Sequence, residues 1–165
     1  MKTLVLVRHG KSLYDEYAGT DMQRHLAPRG YVDVADSLKW CRQMKLQPGL
    51  MVSSPAIRAY STALIFANGY GYPPDRILLE SSIYEAGVQQ LLYVIASLPE
   101  TVKTVFLFGH NPGFTDFTNF LCGPEIHHLP TAGVVVMDVK CKAWNEVRQD
   151  SCVISDVFSG HKPMR

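Results

Sequence analysis

Three short stretches hold residues that could do chemistry together: Arg8, His9 and Gly10 in "TLVLVRHGKS", Arg58 in "SSPAIRAYST", and His110 in "FGHNPGF". Two arginines and two histidines form an anion-handling set. The planar fork of arginine matches the oxygens of a phosphoryl group bidentately, which lysine cannot do. A phosphoryl group carries about −1.5 to −2 charges at neutral pH, so two fixed positive charges and a titrating histidine balance it. A histidine held neutral can attack phosphorus through a ring nitrogen and form a covalent intermediate. Neighbouring arginines help twice, by keeping the imidazole deprotonated and by stabilising charge on the oxygens in flight.

This chemistry needs residues far apart in the chain to meet, so the elements between them must do the positioning. Leu4 to Val7 is a continuous apolar run rich in branched side chains, as expected of a strand covered on both faces. Arginine and histidine are poor endings for a buried strand unless something there pairs with them. Gly10 permits a close backbone approach just where they emerge. After a polar loop a helix is predicted from Pro28 or Arg29, with Tyr31, Val34, Ala35, Leu38 and Cys41 as its buried face. Pro48-Gly49 ends it and "LMVSS" reads as a strand. Ser54-Pro55 then reads as a cap and first-turn proline for a helix running to about Asn68 and stopped by Gly69.

"RILLE" is a short strand, and Val88, Leu91, Leu92, Ile95 and Leu98 mark an amphipathic helix stopped by Pro99. "TVFLFGH" is a second buried strand, and Asn111-Pro112 repeats the cap-and-proline pattern before a helix with Phe114, Phe117 and Leu121 on its core face. "AGVVVMDV" and "SCVISDVF" are late strands with no helix between them. The alternation predicts an α/β fold, a three-layer α/β/α sandwich with a mostly parallel central sheet and an antiparallel edge. Ligands of such sheets bind beyond the carboxyl ends of the strands, where all three stretches fall. Each junction also offers a helix N-terminus, whose free N–H groups favour an anion.

The bulk properties fit one soluble domain over residues 1–165, with 47% hydrophobic and 19% charged residues. A net charge of +1 argues against a nucleic-acid footprint, so a charged substrate must be met locally. No apolar stretch approaches the roughly 20 residues needed to span a bilayer, and the N-terminal apolar run is too short for a signal peptide, so no membrane association and a cytoplasmic location are expected. Cys41, Cys122, Cys141 and Cys152 are scattered without a C-x-x-C pair and read as structural thiols.

The three stretches, in this order, resemble the signature of the histidine phosphatase (phosphoglycerate mutase-like) superfamily. The short length, "LAPRG", "IYEA" and "GHNPG" make the chain most similar to the SixA-like phosphohistidine phosphatases, from residue 3 to about 122. The resemblance implies that His9 is the phosphorylated nucleophile and that Arg8, Arg58 and His110 complete the phosphate pocket. Glu85 in "SIYEAG" matches a glutamate that protonates the leaving group in the mutase branch, although a plain loop carboxylate weighs equally. Small phosphohistidine phosphatases often manage without such an acid, because the leaving imidazole is itself basic. Arg24, Asn111 and Gly10 are the candidates for further substrate contacts.

The family usually has an aspartate-arginine-proline-leucine-threonine run before the first helix, whereas this chain reads "QRHLAPRG". Arg24 matches the arginine, His25 replaces the proline and Ala27 the threonine. Ser61 stands where many relatives have glutamine. These departures are read as tuning of substrate. The expected reaction is metal-independent phosphoryl transfer to His9 and then to water, with no cofactor. The expected partner is a phosphorylated substrate, first of all a phosphohistidine-bearing protein, because the insertion that would cap the pocket is missing between Ser81 and Pro99. A phosphatase or mutase acting on a small phosphorylated metabolite, and a non-catalytic phospho-binding module, are the alternatives. Lys11 and Ser12 read as solvated loop. His127 and His128 resemble half a metal site with no third ligand at a suitable spacing, and so read as surface loop. His161 is given no role, and the last forty residues carry no motif.

Overall fold

The structure is a computed structural model in which residues 1–14, 19–160 and 162 are described; His161 lies outside them. Six strands form one sheet: β1 (Lys2–Arg8), β2 (Leu50–Ser53), β3 (Leu78–Leu79), β4 (Thr104–Gly109), β5 (Val134–Val139) and β6 (Cys152–Phe158). Their order is β3-β2-β4-β1-β5-β6. The first four in that order run parallel, whereas β5 is antiparallel to both β1 and β6. The sandwich with a mostly parallel sheet and an antiparallel edge is therefore the observed fold.

Four helices cover the sheet: α1 (Pro28–Gln43), α2 (Ile57–Tyr70), α3 (Val88–Ala96) and α4 (Gly113–Cys122). The alternation within β1 shows why both faces are covered. Val5 and Val7 pack with Val34 and Cys41 of α1 and Phe66 of α2, while Leu4 and Leu6 pack with Leu91 and Ile95 of α3 and Phe117 of α4. All four strand residues are fully buried. Removing such side chains from water contributes about 1.5–3 kcal/mol each, which fixes the strand at the centre of the sheet.

The register matters most for function. Arg8 lies opposite Gly109, and Phe108 lies opposite both Val7 and Ser53. The carboxyl ends of β1, β4 and β2 therefore stand side by side and end at the same level. Backbone bonds carry the alignment one residue further, from the His9 N–H to the Gly109 carbonyl at 3.1 Å and from the Ser54 N–H to the Phe108 carbonyl at 3.0 Å.

Several local expectations are corrected. The buried residues of α1 are Gly30, Val34, Ser37 and Cys41, while Tyr31 and Ala35 are exposed. A Cβ on Gly30 would sit 2.2 Å from the Lys11 carbonyl oxygen, and the Ser37 hydroxyl donates to the Ala132 carbonyl, so small and hydrogen-bonded residues can face inward. Gly69 does not end α2. A Cβ there would lie 2.3 Å from Leu38 of α1, so Gly69 lets the two helices approach, and Gly71 (φ 64°) terminates the helix. Pro55 precedes α2, and Pro112 is the residue before α4 instead of its first helical residue. All four cysteines are free thiols, with Cys41 and Cys152 buried in the two cores. No helix among the described residues is long and apolar enough to cross a membrane.

Candidate active site

His9 follows β1 directly and is 7% exposed. Its Nδ1 lies 2.7 Å from the Gly10 carbonyl oxygen. A carbonyl can only accept, so Nδ1 carries the proton and Nε2 keeps its lone pair. Burial, above all, lowers the imidazole to about 3; the charges of His110, Arg8 and Arg58 lower it further, against the Gly10 hydrogen bond. The ring is thus neutral at any pH near 7, which is the form a nucleophile needs.

His110 follows β4 and faces His9, with ring centroids 5.2 Å apart. Its Nε2 is 2.7 Å from the Ser54 hydroxyl, and the Tyr84 ring stands edge-on at 5.5 Å. Burial and then Arg58 lower this imidazole to about 4.

Arg8 leaves the end of β1, and its Nη1 donates to the Leu129 carbonyl at 2.9 Å. Arg58, in the first turn of α2, is buried and donates through Nη1 and Nη2 to the carbonyl and carboxylate of Asp21, at 2.7 and 3.0 Å. Both guanidinium charges act on both histidines, so the four groups predicted from sequence are brought to one place. Among the described residues, four buried side-chain nitrogens or oxygens lack a hydrogen-bond partner, and three of them are Arg8 Nε, Arg58 Nε and His110 Nδ1. Buried polar groups are otherwise almost always paired. Unpaired nitrogens contributed by three separate strand–helix junctions around a neutral histidine mark a place for an oxyanion.

Arg24 donates through Nε to Asp21 at 2.9 Å and through Nη1 to the Ser12 hydroxyl and the Leu13 carbonyl, at 2.8 and 2.9 Å. It therefore meets the same carboxylate that holds Arg58. The Tyr84 hydroxyl also donates to Asp21. That bond, followed by Arg58 and Arg24, holds Asp21 well below the ordinary carboxylate range, and in return pushes the Tyr84 phenol up to about 12. Ser12, expected in a solvated loop, is buried with its hydroxyl as an acceptor for Arg24, whereas Lys11 is exposed as expected.

The Gly10 N–H donates to the Thr62 hydroxyl at 3.2 Å. A Cβ on Gly10 would lie 2.7 Å from Val34, so this glycine seats α1 against the strand end. Asn111 accepts from the Thr115 N–H and hydroxyl, and its Nδ2 donates to the Leu129 carbonyl at 2.7 Å. Glu85 is exposed, with φ 56°, beside Tyr84.

His128 shows what the sequence reading missed. Its Nε2 lies 3.3 Å from Arg8 Nη1, and its Nδ1 lies 3.4 Å from Asn111 Nδ2. With His127, Asn111, Thr115 and Asp116 it lines a cleft of about 320 Å³ next to Arg8. Asp21, Tyr84 and Ser54 were likewise not singled out as site residues, because an isolated aspartate, tyrosine or serine has no periodicity of its own; Ser54, expected as the cap of α2, lies two residues before the observed cap, Ala56. Among the described residues, no group of three or more His, Cys, Asp or Glu side chains could hold a metal ion.

Known proteins are similar to this chain in sequence and fold. The family model of the histidine phosphatase superfamily (branch 1) matches residues 4–83. A chloroplastic protein of Arabidopsis thaliana, described as uncharacterized, is 25% identical over 154 residues, covering 88% of this chain and 70% of its own length. A solved structure assigned as phosphohistidine phosphatase SixA from Nakamurella multipartitia superposes with a TM-score of 0.84 at 23% identity, covering 98% of this chain and 97% of the other. The protein histidine phosphatase SixA in complex with tungstate superposes with a TM-score of 0.80 at 19% identity, covering 95% and 96%. The likeness in fold thus extends over nearly the whole chain.

Proposed function

We infer that this chain, a histidine phosphatase by motif and fold, is a hydrolase that removes phosphoryl groups through a phosphohistidine intermediate on His9. One observation carries the reading: buried nitrogens of Arg8, Arg58 and His110 are left without a partner, and all three groups act on a histidine that is neutral and keeps its lone pair on Nε2. In the first step, Nε2 of His9 attacks phosphorus in line with the leaving group. The P–N bond forms as the bond to the leaving group breaks, and the arginines neutralise the charge on the equatorial oxygens. In the second step, water attacks the phosphohistidine and inorganic phosphate departs, restoring neutral His9. The positive charge comes from side chains, so the reaction needs no divalent metal.

The substrate we favour is phosphohistidine on a partner protein. The segment from Ser81 to Pro99 contains only a single helical turn and the nine residues of α3, too little to fold a cap over the pocket. An open site admits a side chain presented by a folded surface. It also admits small phosphate esters, for whose more demanding leaving groups Glu85, beside Tyr84, is the candidate acid. The discriminating experiment compares hydrolysis of a phosphohistidine protein with a panel of small phosphate esters. Faster turnover of the protein supports the reading. Selective turnover of one ester favours a metabolite phosphatase, and tight phosphate binding without turnover reduces the chain to a phospho-binding module.

A further inference from the structure

Ser54 is fully buried at the end of β2, and its hydroxyl has one proton to donate. The oxygen already accepts the Ala56 N–H at 3.2 Å, and the neighbouring Ser53 hydroxyl donates to the Ser54 carbonyl instead of to this oxygen. Among the described residues the only further partner of the Ser54 hydroxyl is Nε2 of His110, at 2.7 Å. A serine O–H without another acceptor donates there, and Nε2 is then the acceptor nitrogen. A neutral imidazole that accepts at Nε2 carries its proton on Nδ1, and Nδ1 is the nitrogen with no partner inside the protein.

We propose that Ser54 is a positioning residue that fixes His110 in the Nδ1–H tautomer, so that His110 meets the phosphoryl group with an N–H donor instead of a lone pair. A lone pair facing an anionic oxygen would repel it, and a freely rotating or mixed-tautomer ring would offer a donor only part of the time. His9 also carries its proton on Nδ1, but there Nδ1 is the anchored nitrogen, held by the Gly10 carbonyl, and Nε2 is left as the free lone pair. One ring supplies the nucleophile, and the other supplies a donor for the oxygens. The effect on phosphate affinity rests on the phosphatase reading, but the position of the proton does not, so the two can fail separately.

The test is a long-range proton–nitrogen correlation spectrum of the full chain labelled with ¹⁵N-histidine, with the His110 signals assigned by their loss in His110→Gln. The native protein is expected to show a protonated Nδ1 and an unprotonated Nε2. In Ser54→Ala the ring shifts to a mixed or Nε2–H form, and affinity for inorganic phosphate falls about tenfold to a hundredfold, as when an orienting partner of a functional histidine is removed. Ser54→Thr keeps the hydroxyl and restores the native pattern. Because Ser54 also accepts the Ala56 N–H, Ser54→Ala is repeated in the His110→Gln background, where it is expected to have little further effect on phosphate affinity. An equal loss in both backgrounds would show that the serine acts only by holding the turn before α2 and would overturn the proposal. A native spectrum with the proton on Nε2 overturns it as well, even if the alanine variant does not fold.

Discussion

The imidazoles of His9 and His110 stand with centroids 5.2 Å apart and planes tilted by 56°, and they are anchored through opposite nitrogens. His9 is held at Nδ1 by the Gly10 carbonyl, and His110 at Nε2 by the Ser54 hydroxyl. The rings come from the ends of β1 and β4, paired neighbours in the sheet, so their separation is set by strand spacing and not by a flexible loop. In the proposed reaction, these two rigidly held histidines divide the work on one phosphoryl group.

Replacing His9 by alanine removes the proposed nucleophile and leaves Arg8, Arg58 and His110 in place. Turnover is expected to fall by several orders of magnitude, since loss of a nucleophile in a protease triad costs about a millionfold. Binding of an inert phosphate analogue should weaken far less, because the arginines supply most of the attraction. Rapid quench with labelled substrate and mapping of the labelled peptide check the native enzyme. Label on any residue other than His9, or undiminished turnover in the variant, would reject the mechanism.

Acid should destabilise the fold through the same two histidines. Both rings are neutral when folded, lowered to about 3 for His9 and about 4 for His110, whereas the unfolded chain protonates them near 6.5. Between these values the unfolded state binds more protons, so stability rises with pH. The contribution is fully present above about 6.5 and is lost as pH falls from there through about 4 for His110 and about 3 for His9. Urea unfolding at stepwise pH measures it, and His110→Gln should flatten the slope. A stability independent of pH across this window would contradict the buried neutral rings.

Glu85 is tested by the leaving group. If it protonates an ester oxygen, Glu85→Gln lowers kcat on alkyl phosphates by about 10²-fold or more, the usual contribution of a general acid, and changes hydrolysis of phosphohistidine little. Equal rates on both substrates in the variant and the native enzyme would leave Glu85 as a loop carboxylate.

Exhaustive treatment with chelator is expected to leave turnover unchanged, because Arg8 and Arg58 supply the charge that a metal ion would otherwise bring to the phosphoryl oxygens. Activity lost with chelator and restored by magnesium would refute this.

Gly30→Ala tests how the first loop is held. The added Cβ would meet the Lys11 carbonyl oxygen at 2.2 Å, a backbone atom that cannot rotate away. Destabilisation of about 1–3 kcal/mol is expected, as for other overpacked buried sites, and is measured by denaturant unfolding. Lys11 is two residues from His9, so kcat should fall along with stability; an unperturbed variant would show that α1 and the loop are free to part.

The elements were legible in the sequence because their signals are local. An apolar run such as Leu4 to Val7 announces a doubly covered strand, and Phe114, Phe117 and Leu121 recur at helical spacing, whatever the rest of the chain does. The residue types at Arg8, His9, Arg58 and His110 likewise pointed to phosphoryl chemistry before any fold was known. What only the tertiary structure decided is long-range and depends on register and hydrogen bonding. Asp21 joins Arg24, Arg58 and Tyr84 across sequence gaps of 3, 37 and 63 residues. His128, read as surface loop, reaches Arg8 because β5 runs antiparallel beside β1 and returns the preceding loop to the strand's carboxyl end. Gly69, an apparent helix stop, proved to be a packing site because Leu38 of another helix leans on it. A single side chain's type limits what it can do, but which nitrogen of His110 keeps its proton depends on a serine 56 residues away, and only the folded sheet brings the two within 2.7 Å.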